Sequence, residues 1–472
     1  MKFWKLTAAL LLALVGFAAC SDDDKDGSVD FERDALFMTW GASETVGVSG
    51  VNIATFTISA VPEGWETPEV NTKTMSVEIV APAADADNVE SSGNVTLRGV
   101  THGGDAVYAS LFVSLDTPEV DYSTQPANCY IANKGGAIYR INATATPDGT
   151  RIATDHLDVI WQASMNYVKY LQLEEDGTAT FFMAKNDDDD TVKAGNALIG
   201  AFDANDNLLW SWHIWAVDYD ADEEALAYGD YTVMSRHLGQ LKNVTDTEAN
   251  ILASYGLYYQ WGRKDPFPGP STYNASKGTT VTLFDGVSNT VKIAAVAADA
   301  ETGTYSYTNA HPTHFITASD NNGAWDMGVS SEIRGWNGSE KSVNDPCPYG
   351  WRVAPAEAFE GLAIVDDLAA ENAATKYAKQ YGWTLKMGEV ESFYFAAGRR
   401  LYADALIQNI YDEWLTRNVA LEAQPWVGYT WTSEGGNAFA FWFNKANPTA
   451  SALRNDLKIG TANGLSVRCV KE

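Results

Sequence analysis

Four cysteines, six histidines and 62 acidic side chains carry whatever chemistry this 472-residue chain can do. Of the histidines only His311 and His314 are close enough in sequence to chelate one ion, in His311-Pro312-Thr313-His314. A proline inside that stretch bars a regular helical face, and no cysteine pair accompanies it, so its spacing is not that of a zinc site. Asp203-Ala204-Asn205-Asp206-Asn207 begins like a calcium loop, but Leu208 stands where the loop needs glycine and Ile214 where it needs a bidentate glutamate, which leaves a hairpin turn. Asp187 to Asp190 read as a solvated loop tip with at most a loose affinity for calcium. The sequence has no Gly-x-Ser-x-Gly elbow, phosphate-binding loop or dinucleotide glycine pattern. Carboxylate pairs able to hydrolyse a glycoside stay open, because their separation is invisible in sequence. The expectation is no catalytic residue, no metal and no cofactor.

The elements that would position such residues begin with an export address. Lys2 and Lys5 precede an apolar run from Leu6 to Ala19, too short to span a bilayer comfortably. The run ends in Phe17-Ala18-Ala19-Cys20, which resembles a bacterial lipobox and implies that Cys20 carries the lipid and becomes the mature N-terminus. Ser21-Asp22-Asp23-Asp24-Lys25-Asp26-Gly27-Ser28 is too charged to fold and suits a solvated leash. Its serine and aspartates resemble the Bacteroides-type signal for the outer face of the outer membrane. With Cys20 taken by lipid, Cys129, Cys347 and Cys469 face an oxidising compartment as one pair and one spare.

The balance of 62 acidic against 32 basic residues gives a formal net charge of −30, which repels nucleic acid and anionic membranes, so partners should be neutral or basic. Beyond the signal (1–19) and tether (20–29), three blocks are expected. In block 30–117, Met75, Val77 and Ile79 share one face, and Val107, Ala109, Leu111, Val113 and Leu115 repeat the alternation; turns at Pro62-Glu63-Gly64 and Gly103-Gly104-Asp105 fit an antiparallel, immunoglobulin-like sandwich. Block 126–237 is β-rich, and in Leu208 to Trp215 the residues Trp210, Trp212 and Ile214 form one face of a core strand. Block 238–472 mixes short strands, long loops and one helix, expected over Val365–Tyr381 with Gly382 as its stop. The fold class expected is mostly β with an α+β C-terminal domain.

Four ordered motifs in that last block carry a family resemblance: Asn344-Asp345-Pro346-Cys347-Pro348-Tyr349-Gly350-Trp351-Arg352-Val353, Phe393 to Arg400, Tyr429-Thr430-Trp431-Thr432-Ser433 and Ser466-Val467-Arg468-Cys469-Val470. Together they resemble the Fibrobacter succinogenes major paralogous domain, a fold similar to C-type lectins and formylglycine-generating enzymes, as found in Bacteroides-type, fimbrillin-like surface lipoproteins. Val353-Ala354-Pro355-Ala356-Glu357 departs from the family's usual Leu-Pro-Thr continuation, which puts a ligand role at that point in doubt. The resemblance implies a disulfide between Cys347 and Cys469. It also implies a structural or adhesive role at the cell surface, attached to the outer membrane through Cys20, with a host or bacterial glycan or surface protein as partner. The other reading is a glycan-binding lipoprotein of polysaccharide uptake, with Trp325 and Trp336, and then Trp426 and Trp431, stacking on sugars. Asp190-Thr191-Val192 resembles a Bacteroides O-glycosylation triplet with Thr191 as acceptor.

Overall fold

A computed structural model describes residues 27–186, 188–189, 191–275, 277–326, 335–409 and 426–472. The protein is mostly β, in several sheets, and divides into two compact units at Glu119/Val120. Among the described residues no helix is long and apolar enough to cross a membrane. Cys20 and its tether up to Asp26 lie outside the described residues.

The first unit is a sandwich of two four-stranded sheets. One contains Ser43–Val51 paired with Ser76–Val80; the other contains the long hairpin Ser92–Thr101 and Ala106–Leu115. Alternation decides which side chains meet: Val46, Val77 and Ile79 from one sheet bury against Val95, Leu97, Leu111 and Val113 from the other. The hairpin turns through Gly104 at φ +92°, a conformation open to glycine.

The second unit joins the two blocks that the sequence separates at residues 237 and 238. Its central six-stranded sheet runs in the order Cys129–Ala132, Leu208–Ala216, Gly195–Phe202, His156–Gln162, Leu283–Phe284 and Thr290–Val291. One face, with Trp210, Trp212 and Ile214, packs on Tyr139, Ile141 and Phe181 of a second sheet. The opposite face, with Trp161, Leu198 and Trp215, packs on Trp351, Val353, Tyr429, Trp431, Leu465 and Val467 from the C-terminal half. Both halves therefore share one core. The sheet is covered on both sides, which is why Gly195–Phe202 and Leu208–Ala216 read as nearly continuous apolar runs.

The helix expected over Val365–Tyr381 is reduced to one turn, Ala373–Lys376, followed by a 3₁₀ turn, Tyr377–Lys379. Ala373 and Tyr377 are buried one turn apart, but Val365 is 43% exposed, and in the acidic stretch before the turn Leu368 and Ala370 are only partly buried against the core. With so little apolar burial a short helix gains weak tertiary support. Tyr381 (φ +54°) takes the left-handed position, and Gly382 instead opens the strand Gly382–Met387, where a Cβ would lie 2.3 Å from the Tyr394 carbonyl.

Candidate functional site: a tyrosine-walled cleft

The disulfide is formed: Cys347 and Cys469 are bonded across 122 residues of sequence. It fastens the loop before Trp351–Val353 to the last strand, Cys469–Lys471, with which Trp351–Val353 pairs. The Asp345 carboxylate accepts from the backbone N–H groups of Cys347 and Val353, both at 2.9 Å. Lys341 Nζ donates to the carbonyls of Cys347 (2.7 Å) and Pro348 (3.1 Å) and to that of Trp351. From the neighbouring sheet, Asn128 Nδ2 donates to the carbonyls of Val343 and Asp345, both at 2.8 Å. The Asn-Asp-Pro-Cys-Pro-Tyr-Gly-Trp run is thus held at both ends, and it turns through Gly350 at φ +75°.

This held loop forms one wall of a cleft of about 180 Å³. Tyr349 stands on it 53% exposed, beside Pro348 and Trp351. The floor is Tyr130 and Ile131 with Tyr122, whose ring stacks on Tyr130 at 5.7 Å and whose hydroxyl donates to the Ile131 carbonyl at 3.0 Å. The far rim is the turn Asp220-Ala221-Asp222, closed by Asp220 Oδ1 accepting from the N–H groups of Asp222 (2.9 Å) and Glu223 (3.0 Å). Asp222 is paired with Lys471, whose ammonium also lies 5.1 Å from the centre of the Trp351 ring. Burial and the Asp220 charge raise the Tyr122 phenol above its ordinary value, so it stays a neutral donor. Tyrosine faces, exposed carboxylates and the side chains of Gln125 and Asn133 converge here. Such a lining can stack on the face of a sugar ring while accepting hydrogen bonds from its hydroxyls.

The aromatic residues expected to stack on sugars are elsewhere, and they are core. Trp325 is 0% and Trp336 2% exposed. Their indole N–H groups are spent on the carbonyls of Trp261 (2.9 Å) and Asn344 (3.1 Å), and Trp426 and Trp431 are equally enclosed. Rings with no free face cannot receive a ligand, which corrects the expectation for Trp325 and Trp336. Thr191 is half-buried; its hydroxyl bonds Asp189 and accepts from Asn186 Nδ2 at 2.7 Å, while Asp190 lies outside the described residues. Asp203 accepts from the N–H groups of Asn205 and Asn207, closing a hairpin turn. His311 and His314 stack with ring centres 5.0 Å apart.

Sequence inspection missed a buried cluster on the sheet behind the cleft. Asp265 Oδ1 accepts from Ser211 Oγ and from Lys264 Nζ, both at 2.7 Å, and Lys264 also donates to the Ser211 carbonyl at 3.1 Å, 4.6 Å from the centre of the Trp210 ring. A serine beside a lysine is a combination that can act as nucleophile and base. All three side chains are enclosed, so no substrate carbonyl reaches this hydroxyl, and the cluster pins the Tyr259–Phe267 segment to the Leu208–Ala216 strand. The only sequence signal was the polar face of that strand, Ser211 and His213.

No family model matches the chain, and no curated protein matches it by sequence. Among solved structures, the D00-D0 domain of intimin aligns over 40% of this chain and 96% of its own, at 12% identity and a TM-score of 0.17. A 2,6-sialyltransferase of Photobacterium sp. JT-ISH-224 aligns over 23% of this chain and 20% of its own, at 12% identity and TM-score 0.14. The SGBP-B protein of the Bacteroides ovatus mixed-linkage glucan utilization locus aligns over 45% and 48%, at 10% identity and TM-score 0.13.

Proposed function

We propose that this chain is a surface-anchored, adhesive binding protein without catalytic turnover, tethered to the outer face of an outer membrane by lipid on Cys20. In this reading the first β-sandwich is a spacer, and the second unit, of the Fibrobacter-type paralogous and fimbrillin-like kind, carries the recognition cleft. The observation that supports it is the cleft between Tyr349 and the Asp220-Ala221-Asp222 turn: an exposed aromatic face, opposed carboxylates and a rigid frame. A glycan with neutral rings fits that lining, whereas polyanions such as nucleic acid are disfavoured by a net charge of −30. The ligand contact is thereby moved from the enclosed tryptophans to Tyr349.

The test is a glycan-array screen of the protein without its lipid, followed by calorimetry on any hit beside Tyr349→Ala and Asp220→Asn. Saturable sugar binding that falls at least tenfold in Tyr349→Ala, with the fold intact by circular dichroism, supports the cleft. Silence across neutral glycans, or binding indifferent to both substitutions, removes it and leaves a purely structural role at the surface.

A further inference from the structure

Most rings that line the cleft are already engaged, and two of them hold a cation of the chain beside a carboxylate. The Arg236 guanidinium lies 4.7 Å from the centre of the Tyr219 ring and reaches Glu224 Oε2 at 3.5 Å. The Lys471 ammonium lies 5.1 Å from the centre of the Trp351 ring and pairs with Asp222. Tyr122 and Tyr130 stack on each other at 5.7 Å. Tyr349 is the exception: it is 53% exposed, and its ring meets no other aromatic ring and no cation among the described residues.

A carboxylate of the far rim is likewise without a cation. Asp218, Asp220, Asp222, Glu223 and Glu224 put five acidic side chains into seven residues, and Arg236 and Lys471 are the two cations paired with them among the described residues. Asp220 Oδ1 accepts from the backbone N–H groups of Asp222 and Glu223, and no Lys, Arg or His side chain pairs with this carboxylate among the described residues. Its charge is felt inside the cleft, where, after burial, it is the second cause that raises the Tyr122 phenol. A ring face and a carboxylate together select a cation over a neutral group. The ring quadrupole attracts positive charge, and an ammonium gives the carboxylate stronger hydrogen bonds than a hydroxyl does. The chain completes that pairing itself at Tyr219 and at Trp351; at Tyr349 and Asp220 it leaves it to a ligand.

We propose that the cleft selects an amino sugar, with the ring against Tyr349 and the ammonium group directed to the Asp220 carboxylate. This rests on the glycan-binding reading of the same cleft and names the class of sugar it takes. The nitrogen must be free, since an N-acetyl group removes the charge and two of the three donors. An amino sugar is thereby bound more tightly than the neutral sugar with a hydroxyl in its place.

The test is calorimetry at about pH 6, where the sugar amine is protonated, with β-1,4-linked tetramers of glucosamine and of glucose, which differ in ammonium for hydroxyl at C2. Expected is one glucosamine tetramer per chain, bound roughly fivefold or more tighter than the glucose tetramer, with the difference lost in Tyr349→Ala and in Asp220→Asn. Glu223→Gln, which removes a charge of the same turn outside the cleft lining, should keep it. The preference should also shrink as salt rises from about 10 mM to about 1 M, over which the Debye length falls from roughly 30 Å to 3 Å. Equal binding of the two tetramers overturns the proposal and leaves the glycan reading intact. A preference that survives Tyr349→Ala, or that Glu223→Gln lowers as much as Asp220→Asn does, is general attraction to an acidic chain and overturns it too. Binding of neither tetramer overturns it as well, and the array screen then decides the glycan reading separately.

Discussion

Lys264 holds Asp265 at 2.7 Å inside a core where both side chains are sealed from water, and the two are adjacent in sequence. Burial pushes the Lys264 ammonium below its ordinary value, and the neighbouring carboxylate opposes that shift. Removing one partner strands the other charge. Asp265→Asn or Lys264→Met should therefore each cost about 3–5 kcal/mol, whereas Lys264→Met combined with Asp265→Leu should recover part of the loss. Urea unfolding of the single and double variants, followed by tryptophan fluorescence, checks this; additive losses would deny the coupling.

Two buried histidines make the protein acid-sensitive. His213 is pushed down to about 3 by burial, and His237 is held well below its ordinary value. Unfolding returns each to a value near 6.5, so the unfolded chain binds more protons below that pH. Their contribution is fully present above pH 6.5 and is lost as the pH falls toward the folded values, at about 1.4 kcal/mol per pH unit for each histidine. Unfolding free energy measured from pH 7 to pH 5 should fall accordingly. His213→Gln, which can still reach Asn196 in place of the 2.9 Å bond from Nε2, should flatten the slope by one histidine's share.

Loss of the disulfide should act through the unfolded chain. Opening a bond between residues 122 apart releases loop-closure entropy worth about 4–5 kcal/mol in the chain-entropy model. A Cys347→Ser, Cys469→Ser protein should unfold at lower urea than the oxidised protein. Cys129, sealed in the core with its thiol pushed up by burial, should stay inert to iodoacetamide until unfolding.

Tryptophan and tyrosine substitutions should separate core from cleft. Trp325→Ala, emptying an enclosed position whose indole N–H is bonded, should cost about 3–5 kcal/mol. Tyr349→Ala, on an exposed wall, should stay within about 0.5 kcal/mol of the parent and change only binding. Thermal denaturation of both variants settles the contrast; a large loss from Tyr349→Ala would make that ring structural.

Much of this architecture could be read in the residues, because local rules govern it. Period-two alternation places Val77, Ile79, Leu111 and Val113 inward, and a pleated strand has no other way to bury them. Trp210, Trp212 and Ile214 follow the same rule. The alternation could not announce that the other face of that strand is buried too, since Ser211 and His213 look like solvent-facing residues until Lys264, Asp265 and Asn196 come to meet them. The helix expected over Val365–Tyr381 shrinks for a related reason: its composition suits a helix, but Ala373 and Tyr377 alone are fully buried there, while Leu368, Ala370, Ala378 and Tyr381 are only partly covered.

The choice of site residues also belongs to the tertiary structure. An aromatic side chain reads alike in sequence whether it fills a core or faces a ligand, so Trp325 and Trp336 stood out by size and Tyr349 did not. What separates them is whether chain from far away covers the ring: Trp261 lies against both tryptophans, whereas the loop fastened by Asp345, Lys341 and the disulfide leaves Tyr349 in solvent. Strand faces and turns follow from the sequence by itself, because neighbouring residues dictate them, whereas the order of the strands in the central sheet does not. Exposure depends on contacts between residues far apart in the chain, and those exist only once the chain is folded.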